Sequence, residues 1–276
     1  MRNALSSIAA DAQRRAMLVV AAVAVACVCG CAHPSSAPDR TSVDALAPTG
    51  TLRVGLYPGT PTSIIGEARA ADARGVGLEL GRALAARTAV PFEPVVFKNN
   101  AEVFAAAKSG NVDAVFTNAT PTRMKELDFS PTVLQVEQGY LVPAGSPIHA
   151  MSDVDRANVR VGVSEGSTSE ATLSGELRNA SVVRVPSLAA AIDELASGKL
   201  DAFATNKATL YEMSDKLAGS SVLAGRWGLE SFAIGIPKGR QAAMPLLSEF
   251  VSEAKTDGTV ARAVHRSGLR GAVLSN

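Results

Sequence analysis

Two short runs are written twice along this chain, in the same order. SGNVDAVFTNAT at 109–120 returns as SGKLDAFATNKAT at 197–209, with Asp113 and Asp201 in matching places. RVGLYPGTPTS, beginning at Arg53, returns as RVGVSEGSTSE, beginning at Arg160. Whatever one unit folds into, the chain must fold into twice, so two similar halves are expected. The first half reads strand–helix–strand–helix–strand. TLRVGL alternates and is closed by Pro58-Gly59, GLELGRALAAR carries Leu78 and Leu84 at helical spacing, and PFEPVVF is a second strand. AEVFAAAKSG is a helix stopped by Gly110, and VDAVFTN is a third strand. The second half repeats the plan with VRVGVS, STSEATLSGELR, SVVRVPS, LAAAIDELASG and LDAFATN. Such alternation implies an α/β fold of parallel strands with right-handed crossovers. FAIGIPKG and the helical stretch MPLLSEFVSEAKTDGTVARAVHRSG exceed what the second copy needs, so they are expected to return to the first half. That gives a discontinuous lobe 1 of residues 51–141 and 233–276, a lobe 2 of residues 142–232, and strand crossings near Tyr140–Pro143 and Leu229–Ala233.

The beginning of the chain has a different character. Arg14 and Arg15 precede AMLVVAAVAVACVCG, an apolar run suited to a signal-peptide core and too short to span a bilayer. Its end, Val28-Cys29-Gly30-Cys31, resembles a bacterial lipobox with Cys31 as the lipidated residue; an uncleaved anchor and a plain cleaved signal are the alternatives. Residues 1–30 are therefore read as a signal peptide and 31–50, rich in Pro, Ser and Ala, as a lipidated tether. The expected location is the cell envelope, on its periplasmic or extracytoplasmic side. All three cysteines, Cys27, Cys29 and Cys31, fall in this segment, leaving the folded part without disulfide or thiol chemistry. His33, His149 and His265 lie far apart, and no Cys/His spacing suggests a metal or other cofactor. The formal net charge is +1 and aromatic residues make up only 4%, so nucleic acid is a poor partner for this chain.

In parallel α/β sheets ligands gather beyond the carboxyl ends of strands. Thr117-Asn118 and Thr205-Asn206 fall just past the ends of equivalent strands, one pair per half. Either Asn alone suits a turn or a helix cap equally well; the matched pair favours two polar rims facing one cleft. Ser167 and Thr168, in GSTSE, open a helix, where free backbone N–H groups attract anions or where a hydroxyl caps. Tyr57 sits at the rim of the first strand and Trp227 near the second crossing, each placed to stack on a solute or simply to pack.

The densest polar cluster is TNATPTRMKELDFS at 117–130. Thr120-Pro121-Thr122-Arg123 followed by Leu127-Asp128-Phe129-Ser130 resembles the run found in family-three extracellular solute-binding proteins, the polar amino-acid receptors of ABC importers. LRVGL, LVPAGSPI, VRVGVSEGSTSE, the two SG–DA units, Lys238-Gly239 and the closing DGT helix extend that resemblance over nearly all of the chain after Gly50. The resemblance implies a type II periplasmic-binding-protein fold, two α/β lobes joined by a hinge around an interlobe cleft. It also implies a monomer that captures a small solute and delivers it to permease and ATPase subunits. Arg123 would clasp the solute's carboxylate through its bidentate fork, with Tyr57, Thr117, Asn118, Thr120, Ser167, Thr168 and Asn206 around it.

Departures from the family pattern bear on the solute. Where the family places an Asp for the ligand's ammonium this chain has Asn206, followed by Lys207, so no negative charge is expected there. That leans toward a small polar anion, an organic acid or a modified amino acid. Two other functions share the fold: a ligand-sensing partner of a membrane signalling protein, and a periplasmic dehydratase, for which Glu67, Glu137 and Glu165 are candidate acids. Gly162-Val163-Ser164-Glu165-Gly166 matches a nucleophile elbow in form, yet Tyr57 takes the serine's place in the first copy, so the scaffold explains the glycines. A binding protein and not an enzyme is expected.

Overall fold

The computed structural model describes residues 38–273. The signal peptide and Cys31 lie outside the described residues. The chain opens with α1 (Arg40–Leu46), then β1 (Leu52–Leu56), α2 (Val76–Thr88), β2 (Phe92–Val96), α3 (Asn100–Lys108), β3 (Ala114–Asn118), the one-turn α4 (Pro121–Met124), β4 (Leu127–Phe129) and β5 (Leu134–Val142). The second copy supplies β6 (Arg160–Ser164), α5 (Thr168–Glu176), β7 (Ser181–Val185), α6 (Leu188–Ala196), β8 (Ala202–Asn206), α7 (Lys207–Ser214) and β9 (Ser221–Val222). The chain closes with β10 (Gly228–Pro237), α8 (Met244–Thr256), α9 (Thr259–Ser267) and β11 (Ala272–Val273).

The repeated words become repeated hardware. In the first copy Asp113 accepts from the Arg53 main-chain N–H at 2.9 Å and from its Nε and Nη2 at 2.9 and 2.7 Å. In the second, Asp201 accepts from the Arg160 N–H, Nε and Nη2 at 2.8, 2.8 and 2.9 Å. In both, the same guanidinium also donates to the glycine carbonyl of the SG turn, Gly110 or Gly198. Each clamp ties the start of one strand to the turn leading into its parallel neighbour, β1 to β3 and β6 to β8. A bidentate Arg–carboxylate pair fixes geometry as well as energy, which accounts for the Arg and Asp in each copy.

The strands form one hydrogen-bonded path, β2-β1-β3-β10-β5-β8-β6-β7, with β4, β9 and β11 attached beside it. The outer strands on each side are parallel, while β10 and β5 run antiparallel to each other and to β3 and β8. Those two central strands carry the chain from one half to the other. Apolar clusters lie on both sides of them: one side joins Leu52, Leu84 and Phe116 to Leu246 and Phe250 from α8, the other joins Val161, Val163 and Tyr140. The closing helices thus pack against the first copy.

The expected tether is shorter than its composition suggests. From Asp39 onward the chain is a capped helix: Asp39 Oδ2 accepts from the Ser42 N–H at 3.1 Å, and Leu46 is fully buried in the first core. Arg240 Nη1 donates to the Leu46 carbonyl at 3.2 Å and to Asp113 at 2.8 Å, binding α1 to the first clamp. Burying one leucine stabilises by about 1.5–3 kcal/mol, enough to hold a short helix on a core that offers it a seat.

Candidate functional site

Thr117-Asn118 and Thr205-Asn206 end β3 and β8, and the register sets each against a central strand: Asn118 opposite Phe232, Asn206 opposite Gln138. Both corners therefore meet where β10 and β5 pass between the halves. Here lies a cavity of about 30 Å³ lined by Tyr57, Thr117, Asn118, Arg123, Ser167, Thr168, Thr205 and Asn206, together with Phe116, Phe232 and Glu230. A larger chamber of about 440 Å³ adjoins it, sharing Tyr57 and Asn100 and walled by Lys98, Leu188, Ile192, Met213 and Lys216.

Arg123 reaches the cavity because α4 is so short. Pro121 starts the turn and Thr120 caps it, its Oγ1 accepting from the Arg123 N–H at 3.2 Å. The side chain turns back to β3, where Nη1 donates to Thr117 Oγ1 at 2.6 Å. Nη2 crosses the cleft to donate to the Gly166 carbonyl at 3.3 Å, and the guanidinium carbon sits 5.5 Å from the centre of the Phe104 ring. Only 6% of Arg123 is exposed. Burial pushes its pKa down, while the nearby charge of Glu230 pulls the other way.

A chain of hydrogen bonds runs from the first corner to the start of α5 and on to β10. Asn118 Nδ2 donates to Thr168 Oγ1 at 2.8 Å, and that hydroxyl in turn donates to Glu230 Oε1. Burial pushes the Glu230 carboxyl above the usual range, opposed by the Thr168 hydrogen bond and the Arg123 charge. Burial also raises the Tyr57 hydroxyl to about 12, helped by Glu230 and opposed by Arg123. Ser167 Oγ accepts from the Glu170 N–H, capping α5. Asn206 Oδ1 accepts from both the N–H and the Oγ1 of Thr209, capping α7.

Of the residues singled out from the sequence, Tyr57, Thr117, Asn118, Arg123, Ser167, Thr168 and Asn206 converge on this cavity; Thr120 lies outside its lining and serves as the α4 cap. Trp227 lies outside it as well, its Nε1 donating to the Gly139 carbonyl and its ring packed by Tyr140. Glu137 is held by Lys207 and Arg226, and neither it nor Glu67 nor Glu165 lines the cavity. Ser164 faces the chamber, and His265, on α9, lines neither space. The acid in the cavity is Glu230, which the sequence reading passed over. A signal was present, since Glu230 and Phe232 sit two apart on one strand and so share a face. Among the described residues no group of His, Cys, Asp and Glu is placed to hold a metal ion.

Comparison with known proteins agrees with this geometry. The family model for bacterial extracellular solute-binding proteins, family 3, matches residues 52–267. The ABC transporter glutamine-binding protein GlnH of Bacillus subtilis (strain 168) is 30% identical over 153 residues, 55% of this chain and 56% of that protein. This chain thus spans about half the length of that curated relative. An ancestral arginine-binding protein bound to glutamine superposes with a TM-score of 0.71 at 26% identity, covering 79% of this chain and 97% of that one. The ancestral amino acid-binding protein AncCDT-1, a precursor of cyclohexadienyl dehydratase, superposes with a TM-score of 0.70 at 25% identity, covering 82% and 98%.

Proposed function

The chain belongs to the bacterial extracellular solute-binding proteins, family 3, and we propose that it is the receptor of an ABC importer. In this reading lobe 1 is residues 51–141 with 233–276 and lobe 2 is residues 142–232. They close on a small amino-acid-like solute and hand it to permease and ATPase subunits. The observation that carries the reading is Arg123, a buried guanidinium at the seam of the two halves whose hydrogen bonds go to a neutral hydroxyl and a carbonyl. A buried cation with no carboxylate in its hydrogen-bonding shell is costly, and a solute carboxylate would supply one in bidentate form. A cavity of about 30 Å³ holds little more than a water, so the solute displaces the contacts of Arg123 across the cleft and extends toward the adjoining chamber.

Thermal-shift screening of the purified protein against amino acids and organic acids identifies the solute, because a ligand that prefers the native state raises the melting point. For that solute, Arg123→Ala is expected to weaken calorimetric affinity by about 1.5–3 kcal/mol and to slow its uptake by cells. Unchanged affinity would remove Arg123 from the site; undiminished uptake would assign the protein to sensing. We also place the protein at the membrane through lipid on Cys31. Palmitate labelling should vanish in Cys31→Ser, and labelling that persists rules the anchor out.

A further inference from the structure

The cavity holds a second charge that the family resemblance did not anticipate at this place. Its titratable lining consists of Tyr57, Arg123 and Glu230, one fixed cation, one carboxylate and a phenol held neutral up to about pH 12. Neither Arg123 nor Glu230 takes part in an ion pair among the described residues, with each other or with any third group. The two opposite charges share a space with room for about one water and feel each other's field, yet their hydrogen bonds go to neutral partners: Thr117 and Gly166 for the guanidinium, Thr168 with Gln138 and Asn118 for the carboxylate. Sequestering an unpaired charge is expensive, and two of opposite sign held apart in one cleft invite a guest that bears both. Asn206 cannot supply the negative end. It is uncharged, and its side-chain oxygen is engaged by Thr209.

We infer that Glu230, on the crossing strand β10, is the acceptor for a solute ammonium, so that the solute is a zwitterionic α-amino acid held between Glu230 and Arg123. The inference rests on the solute-binding reading above and narrows its chemical class. It reverses the lean toward an anion that Asn206 suggested: the negative charge is not missing from the site but carried by a different strand. Glu230 pairs with Val136 of β5 in the register, just beyond the point where Phe232 faces Asn118, so the acceptor stands on the central strands and not on either jaw. Thr168 positions it by donating to Oε1, and the side chains of Gln138 and Asn118 also favour the carboxylate form.

The experiment compares two probe series on the purified protein: common L-amino acids, and the 2-hydroxy acids in which a hydroxyl replaces each ammonium. The wild type is expected to bind at least one amino acid and to bind its hydroxy acid about ten- to a hundredfold more weakly. Glu230→Gln should erase that preference by losing the amino acid and keeping the hydroxy acid, while Glu230→Asp, which preserves the charge, should keep the preference. Melting curves establish that each variant is folded. If Glu230→Gln failed to fold, Glu230→Ala is read in its place, loss of the preference counting for the assignment and its survival against it. Equal binding of the two series, or an amino-acid preference that survives Glu230→Gln, overturns the assignment of Glu230 and leaves capture by Arg123 standing. Binding of neither series by the wild type removes the solute-binding reading along with it.

Discussion

Asp113 and Asp201 make the same bonds to the same kind of arginine, but in different surroundings. The Asp113 side chain is wholly buried and takes a second arginine, Arg240; the Asp201 side chain is one-third exposed, at 33%, and has Arg160 alone. Removing one partner of a buried pair leaves a stranded charge, whereas an exposed pair is screened by water. Asp113→Asn is therefore expected to cost about 3–5 kcal/mol in urea unfolding and Asp201→Asn about 1 kcal/mol or less. Equal losses would show that burial does not distinguish the two copies. The acid limb follows the same logic. Burial works to raise Asp113, but the hydrogen bonds from Arg53 and Arg240 prevail and hold it below the ordinary carboxylate value; for Asp201 the Arg160 hydrogen bond leads in the same direction. A carboxylate depressed in the folded state contributes stability that is present above its unfolded pKa, about 3.9, and is lost as pH falls through the folded value. Asp113→Asn should flatten that acid-side loss of stability.

Elements whose signal is local could be read from the chain. The period-two runs of β1, β3, β6 and β8 and the spacing of α2 and α6 carry their own information, and the duplication checked each half against the other. Much of the site was legible as well, the Thr-Asn corners through the duplication and Arg123 through the family resemblance of the run around it. What could not be read depends on a partner distant in sequence. α1 is only seven residues long in Pro- and Ser-rich surroundings, and it is a helix because Leu46 finds the first core and Arg240 finds its last carbonyl. Thr120 has the composition of a ligand donor but is consumed by capping a four-residue helix. Glu230 was hidden because β10 has no duplicate: the repeat that made the Thr-Asn corners conspicuous stops before it, and the family run around Arg123 does not reach it.

In the proposed reading, closure is carried at the scale of the whole described fold by close contacts between the halves. Besides Arg123 to Gly166 and Asn118 to Thr168, Thr60 meets Thr209 at 2.7 Å and Arg74 meets Glu212 at 3.0 Å. A steric approach lies at Gly166, with φ +69: a Cβ added there would lie 2.8 Å from the Ala101 Cβ on α3, across the cleft. Gly166→Ala is thus a wedge whose collision exists only when the halves are together. Its backbone strain, about 1–2 kcal/mol for an L-residue in the left-handed region, is present open or closed. Gly198→Ala provides the control, since Gly198 has the same φ of +69 and nothing within 4 Å of its added methyl. Both variants should melt earlier. Only Gly166→Ala should also bind solute more weakly, by the 1–3 kcal/mol usual for overpacking, and keep a larger radius of gyration in solution scattering at saturating solute. A solute that binds the closed form better shifts the population only by that difference in affinity, so a wedge against closure must appear in the dissociation constant. If the two alanines bound solute alike, approach of Gly166 to Ala101 would not be part of the bound state, and capture would rest on residues of one half and the central strands.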